Sequence, residues 1–379
     1  QEAFNQKIRQ LGIVYNGDTS AEKVRYYFTL PSIFLEDGLQ FMYDAIATPL
    51  LEKTELEKER RVVLDEYDRS AAQPTFDLRN LQRRMIYGEL DYLRDPLGMR
   101  PLIENASKKQ LLKIKDEVFV PANSALLISG DFEIEELKKL TEKHFKNWKT
   151  PKNWKAPSHP DFPKFPESQE FVMTRPLVRN ASISVTFAGP KVREKPKDTF
   201  AADVLINLLE HRSGKFYKKY VDSGLTFGAG LSYYTQAKAG EVHLYASTKP
   251  ENAVKVKEML KKEVNEWLKP DYFTKTQMED VRRSLIINHK RELNKPSAFI
   301  KTLAFWWAVT GLDYYSNYIE NLRSTEFAEV RSFVKNYLIG KNAITSIILA
   351  PEDAKAVGLK DTSGPLVKKH LKHYRDAKS

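Results

Sequence analysis

Hydrophobic residues recur along the chain with two periods, and the same succession of periods occurs twice. Short runs rich in β-branched and aromatic residues predict strands, whereas apolar residues three and four positions apart predict helices. In the first half, strands are predicted at 13–15, 24–30 and 125–129, and helices at 2–11, 34–47, 53–70, 76–87, 107–118 and 134–145. In the second half, strands are predicted at 170–174, 181–188, 226–234, 241–247 and 343–349, and helices at 199–209, 213–221, 252–268, 274–293, 297–310 and 325–337. Because strands and helices do not alternate strictly, the pattern predicts an α+β fold.

The two halves end in the same way, with a helix, a short break and an apolar strand. The closing segments are VPANSALLIS at 120–129 and LIGKNAITSIILA at 338–350. This similarity predicts an internal repeat of two homologous domains, each a mostly antiparallel sheet covered by helices. Residues 148–168 are rich in Pro and Lys, which is typical of a linker. We therefore predict a first domain at 1–147, a linker at 148–168 and a second domain at 169–379.

Composition excludes several classes of protein. The chain has 379 residues with 41% hydrophobic positions, enough for two cores, and it has no Cys, which excludes disulfides and thiolate chemistry. The net charge of +11 is spread without a clustered basic face, so nucleic-acid binding is the least favoured function. No apolar run reaches the roughly 18 residues of a membrane span. No signal peptide is visible, but the sequence starts at Gln1, so its absence says little about the compartment.

The segment at 53–70, KTELEKERRVVLDEYDRS, carries the most informative pattern. Thr54 and Glu57 have the spacing of a capping box, and an apolar stripe runs along the helix to Tyr67. Glu59 and Glu66 are seven residues apart, so they lie on nearly the same side of the helix, next to that stripe. Acids in such a place usually meet a cation, a metal or a hydrogen-bond network, because a buried unpaired charge is costly. The alternative, which spacing alone favours, is a solvated charged face.

Five segments in order carry a resemblance to a known family. They are GIVYNGDTS at 12–20, ERRVVLDE at 59–66, PLG at 96–98, NSALLISGD at 123–131 and GLTF at 224–227. They resemble the G-x-x-x-N-A-x-T-S, E-R-x-V-V-L-x-E, H-P-L-G, N-x-x-L-x-x-x-G-D and G-L-x-Y segments of pitrilysin/insulinase-type metallopeptidases. The resemblance extends over almost the whole chain.

The resemblance implies a zinc site of the inverted zincin type. In that family, an H-x-x-E-H helix supplies two His ligands and a general base, and a Glu on a later helix is the third ligand. By resemblance, Glu66 is this third ligand of Zn²⁺. Glu59 would be a catalytic acid that orients a ligand or assists proton transfer.

The sequence departs from the family in having no H-x-x-E-H. Its seven His lack this spacing, and His370 and His373 lie in a Lys-rich tail where we expect no metal. Counted back about 75 residues from Glu66, the motif falls before Gln1. It is therefore either upstream of this sequence or lost, and the retention of both acids favours the first option. For these 379 residues alone we expect neither peptidase activity nor stoichiometric zinc.

The substrate-binding residues implied by the resemblance are Asn16, Tyr220 and Phe227. Asn16 would lie near the scissile bond on an edge strand to which a peptide adds by backbone hydrogen bonds. The alternative for Asn16 and Gly17 is a plain turn. Tyr220 and Phe227 occupy the positions of an Arg and a Tyr that contact the substrate carbonyl, but Phe227 has no hydroxyl to donate. The alternative for both residues is ordinary packing.

These expectations define two functions. The first is a zinc-dependent metalloendopeptidase subunit that binds a peptide or unfolded protein in a cleft between two homologous domains. It would work as a homo- or heterodimer with a related subunit. The second is a non-catalytic homologous subunit that acts as a scaffold or partner of an active peptidase. The resemblance implies a periplasmic or secreted protein, with a mitochondrial one as the alternative.

Overall fold

The structure is a computed structural model that describes residues 2–88, 96–157, 165–238 and 240–371. Part of the predicted linker, together with His159 and His373, lies outside these residues. The first half contains α1 (Glu2–Leu11), β1 (Val14–Thr19), β2 (Val24–Thr29), α2 (Leu35–Ala47), α3 (Lys53–Ala71), α4 (Phe76–Tyr87), α5 (Arg100–Glu104), α6 (Lys108–Val118) and α7 (Ile134–Phe145).

The second half contains more strands. Its strands are β3 (Gln169–Thr174), β4 (Ala181–Ala188), β5 (Gly228–Tyr234), β6 (Glu241–Thr248) and β7 (Ala343–Leu349). Its helices are α8 (Pro196–Glu210), α9 (Lys215–Tyr217), α10 (Ala253–Glu266), α11 (Lys275–Leu293), α12 (Pro296–Val309), α13 (Leu312–Ser316), α14 (Tyr318–Ser324), α15 (Phe327–Tyr337), α16 (Pro351–Ala356) and α17 (Gly364–His370). A π-helical turn, Lys218–Asp222, follows α9. Among the described helices, none combines the length and apolar character that a bilayer span requires. The prediction of an α+β fold is confirmed.

The chain divides into two compact units. The first comprises Gln1–Arg69, Arg94–Pro160 and Leu293–Phe305, and the second comprises Ser70–Leu93, Asp161–Glu292 and Trp306–Ser379. Neither unit is continuous in sequence, because α4 belongs to the second unit and the first part of α12 belongs to the first. The domain boundaries inferred from composition remain predictions.

The second unit is built on a five-stranded sheet in the order β3-β7-β4-β6-β5. Only β3 and β7 are parallel, so the sheet is mostly antiparallel, as predicted. The alternation along β4 directs Ile183, Val185 and Phe187 into one core, where they join apolar residues of α8 and α10. On the opposite side, α4 and α17 cover β3 and β7 through a second apolar cluster that includes Leu81 and Ile348.

The first unit contains a two-stranded antiparallel sheet, β1-β2. Phe28 of β2 packs against Phe41 of α2, with ring centroids 5.6 Å apart, and Tyr43 packs against Phe145 of α7 at the same distance. The prediction of a strand at 125–129 is wrong for the described residues, since 124–129 has no regular secondary structure. A strand needs a hydrogen-bonded neighbour, and none of the described strands lies along this segment.

Candidate functional site

Helix α3 carries the two acids singled out from the sequence. Seven residues correspond to a rise of about 10 Å, so Glu59 and Glu66 lie two turns apart on nearly one side. Both side chains are exposed, and Val62 between them is 55% exposed, whereas Tyr67 is buried. The apolar stripe itself is half-buried at Leu56 and Val63 and buried at Tyr67, so the two acids lie on the solvated side of the helix. Thr54 lies inside the helix rather than before it, so it does not act as the predicted cap.

Helix α11 in the second unit matches α3 in length and in sequence. Both helices have 19 residues and begin with Lys-Thr. When the two helices are aligned from their first residues, the same residue type occurs at several equivalent positions. The matching pairs are Lys53 and Lys275, Thr54 and Thr276, Glu57 and Glu279, Arg60 and Arg282, and Arg61 and Arg283. At the two positions of interest they differ, since Glu59 corresponds to Val281 and Glu66 to Asn288. The acid pair is thus present in α3 alone.

The matched arginines make the same contact in both units. Arg60 Nη2 donates a hydrogen bond to the Ala106 carbonyl oxygen at 2.6 Å, directly before Ser107, which caps α6. Arg282 Nη2 donates to the Thr325 carbonyl oxygen, directly before the residue that caps α15. The two helices therefore occupy equivalent places in a structural duplication, which the sequence predicted only from the closing segments.

The described residues near α3 offer carboxylates but no assembled set of metal ligands. Within the described ranges, no group of three or more His, Asp and Glu side chains is arranged to hold a metal ion. In the first unit, His144 is engaged elsewhere, with its ring nitrogens 2.6 Å from Gln40 Oε1 and 3.1 Å from Glu36 Oε1. Glu66 is a chemically suitable ligand for zinc, but a zinc site needs further protein ligands.

Tyr220 is fully buried within the second unit. It lies in the π-helical turn, its ring is 4.6 Å from that of Phe216, and its hydroxyl donates to Glu263 Oε2 at 3.1 Å. Glu263 is 1% exposed and also accepts hydrogen bonds from Lys219 and Tyr272. Burial and the neighbouring carboxylate raise the pKa of Tyr220. The described structure therefore agrees with the packing alternative for Tyr220, whereas its partner Glu263, 43 residues away, was not predicted from the sequence.

Phe227 lies at the surface just before β5. Its side chain is 60% exposed, and its backbone N–H donates to the Ser247 carbonyl oxygen at 2.7 Å. An exposed aromatic ring can contact a peptide, but it cannot donate a hydrogen bond to a carbonyl. Its substrate-binding role remains a prediction.

Asn16 lies in the middle of β1. It pairs with Tyr27 of β2 in the antiparallel register, and its side-chain oxygen accepts a hydrogen bond from the Gly17 N–H at 2.8 Å. The turn of the hairpin is further on, where the Ser20 N–H donates to the Lys23 carbonyl oxygen at 2.9 Å. The alternative of a turn at Asn16 is therefore wrong. Among the described residues, β1 pairs with β2 and with no second strand, so it is an edge strand of this hairpin.

The fold and the duplicated α3 and α11 agree with two family models of peptidase family M16. The insulinase (peptidase family M16) model matches residues 1–89, and the peptidase M16 inactive domain model matches residues 105–285. The chain belongs to the pitrilysin/insulinase-type family, M16.

Individual relatives include proteases of bacteria. The zinc protease PqqE of Helicobacter pylori (strain ATCC 700392 / 26695) is 25% identical over 315 residues, which cover 82% of this chain and 68% of that protein. The solved structure of a protease from Helicobacter pylori has a TM-score of 0.82 at 20% identity, covering 92% of this chain and 84% of that one. The first half of the periplasmic protease PqqL from Escherichia coli has a TM-score of 0.75 at 15% identity, covering 97% and 82%. At these identities the two structures establish the fold alone.

Proposed function

We propose that the chain is part of a zinc-dependent endopeptidase, in which Glu66 is a ligand of Zn²⁺. The observation that carries this proposal is the pair of acids kept in α3 and replaced in α11. Glu66 would bind the ion directly, and Glu59, two turns away, would orient another ligand. Bound there, the ion would supply Lewis acidity and a water of lowered pKa.

The structural duplication supports a proposal about which part of the protein supplies the remaining zinc ligands. In the second unit, β4 lies between β6 and β7 and leads into α8. In the first unit, β2 and the segment 124–129 correspond to β6 and β7, but no described strand lies between them. We propose that a strand and helix from outside the described residues take the places of β4 and α8, and that this helix carries H-x-x-E-H.

The substrate in this proposal is an extended peptide or unfolded protein. It would add to the outer edge of β1 by backbone hydrogen bonds, with Asn16 near the scissile bond. The two homologous domains would enclose it, and a related subunit would form a dimer with this one. The similarity to the periplasmic protease PqqL supports a periplasmic or secreted location, with a mitochondrial one as the alternative.

The test is a titration of zinc against a competing chelator, on protein expressed from its complete reading frame. Glu66→Gln removes a ligand, so zinc affinity should fall by more than the roughly 10- to 100-fold typical of outer-sphere changes. Glu59→Gln should fall within that smaller range. Asp65→Asn, on the same helix and also exposed, is the control and should leave affinity unchanged. Equal zinc affinity in Glu66→Gln and the parent protein would remove Glu66 from the site.

A second function, that of a non-catalytic partner, is favoured by a specific observation. Tyr220 is buried against Glu263, and Phe227 lacks a hydroxyl, so neither matches the Arg and Tyr implied by the resemblance. The description of the matched model as an inactive domain agrees with this. The test measures peptide hydrolysis by the chain purified together with a related peptidase subunit. If the chain is non-catalytic, Glu66→Gln leaves hydrolysis unchanged. If it is catalytic, Glu66→Gln abolishes the hydrolysis that a chelator also abolishes.

A further inference from the structure

One face of the β1-β2 hairpin carries a cluster of charged side chains. Side chains alternate between the two faces of a strand, and the register places Asn16 opposite Tyr27 and Asp18 opposite Arg25. These four residues therefore share a face, which we name the polar face. The opposite face carries Phe28, which packs towards α2.

The single carboxylate of this face is shared by two cations. Arg25 Nε donates to Asp18 Oδ2 at 2.8 Å, and Lys23 Nζ donates to Asp18 Oδ1 at 3.0 Å. Burial would raise the pKa of Asp18, but these hydrogen bonds and charges hold it below its usual value. Asp18 is thus ionised and already occupied, so it does not neutralise a third cation.

That third cation is Lys301, from the part of α12 that belongs to the first unit. Arg25 Nη1 donates to the Lys301 carbonyl oxygen at 2.6 Å, and the Lys301 ammonium lies 3.8 Å from the centroid of the Tyr27 ring. No carboxylate of the described residues lies within ion-pair distance of this ammonium. Since Tyr27 is directly opposite Asn16, an uncompensated positive charge lies over the middle of the hairpin.

We infer that peptides with acidic side chains are the preferred ligands of the β1 edge, and that Lys301 determines this preference. This inference rests on the proposed function, in which an extended peptide adds to β1. A strand added there lies about 4.8 Å from β1 and presents alternate side chains on the polar face. A Glu side chain next to Asn16 would then lie on the same face as the positive charges of Lys23, Arg25 and Lys301 and the negative charge of Asp18.

The experiment measures fluorescence anisotropy of two labelled peptides of equal length on the full-length protein. One peptide carries Glu at alternate positions, and the other carries Gln at the same positions. A partly solvated ion pair is worth up to about a fivefold gain in affinity, so we expect up to about fivefold tighter binding per carboxylate, decreasing with salt. Lys301→Gln should weaken the preference and Lys301→Glu should abolish it, because Lys23 and Arg25 remain beside Asp18, whereas Lys301→Arg should retain it. Lys290→Gln, on the helix α11 that precedes α12 in sequence, is the charge-matched control and should change nothing.

The outcomes separate this inference from the proposed function. Equal binding of the Glu and Gln peptides, or a preference that Lys301→Gln leaves at full strength, overturns the inference while leaving peptide addition to β1 intact. Binding of both peptides that is unchanged by Thr19→Pro, which removes an outward-facing backbone donor from the edge of β1, overturns the peptide site itself. Absence of binding of either peptide overturns both.

Discussion

Replacement of Tyr220 by Phe separates a structural role from a catalytic one. The substitution keeps the ring against Phe216 and removes only the hydroxyl that donates to Glu263. A hydrogen bond to a charged group is worth about 1.5–3 kcal/mol. Because Glu263 keeps Lys219 and Tyr272 as donors, we expect the lower end, about 1.5 kcal/mol. That loss corresponds to about tenfold faster exchange of amides that exchange by local opening.

The measurement is hydrogen exchange of the backbone amides of α10, the helix that carries Glu263. Tyr272→Phe should give a similar acceleration, because its hydroxyl donates to the same carboxylate. Tyr217→Phe is the control, since Tyr217 lies three residues before Tyr220 and is only half-buried, and it should leave the exchange unchanged. Unchanged exchange in Tyr220→Phe, together with lost hydrolysis by the zinc-loaded protein, would refute the structural role and return Tyr220 to the substrate.

Two further predictions concern the stability of the second unit. Burial raises the pKa of Asp203 to about 6, even though the Tyr318 hydroxyl donates to it. Because the pKa of Asp203 is higher in the folded than in the unfolded state, the protonated carboxyl favours the folded protein at low pH. As the pH rises from about 4 to above 6 the carboxyl ionises, and the free energy of unfolding should fall by up to about 3 kcal/mol. The difference in unfolding free energy between the parent and Asp203→Asn should therefore depend on pH in that window, and a constant difference would contradict the assignment. Gly240→Ala should cost about 1–3 kcal/mol in urea unfolding, because its Cβ would lie 2.3 Å from the Pro190 carbonyl oxygen. Gly364→Ala, which meets nothing within 4 Å, is the control, and an equal loss in both would refute the steric reason.

Much of the fold follows from local pattern. The prediction of a helix at 53–70 differs from α3 by a single residue, and α12 begins one residue before the predicted 297. These helices have regular apolar spacing, and a Pro marks the start of α12. In contrast, Asn16 and Gly17 have the composition of a turn but lie in a strand. The ladder to Tyr26 and Tyr27 outweighs the local preference, and that ladder depends on residues ten positions away.

The site was less accessible to sequence reasoning than the fold. The resemblance pointed to Glu59 and Glu66, but the exposure of both depends on which elements cover α3. The burial of Tyr220 depends on Glu263 and Tyr272, and the position of Lys301 over Tyr27 depends on a helix far along the chain. Such long-range pairs leave no periodic signal in the sequence.

The duplication gives the exposed acids of α3 a physical interpretation. At the position of Glu59, α11 has Val281, which is 3% exposed and belongs to the core of the second unit. The position of Glu59 is therefore covered in one unit and uncovered, among the described residues, in the other, whereas Asn288 at the position of Glu66 is exposed like Glu66 itself. A helix–strand complement corresponding to α8 and β4 would cover the face of α3 as well, and it would bring Glu59 into a low-dielectric surrounding. A carboxylate so placed requires a cation, because burial of an unpaired charge costs several kcal/mol. The presence of Val at the position of Glu59 in the copy without a predicted metal is what this requirement leads us to expect.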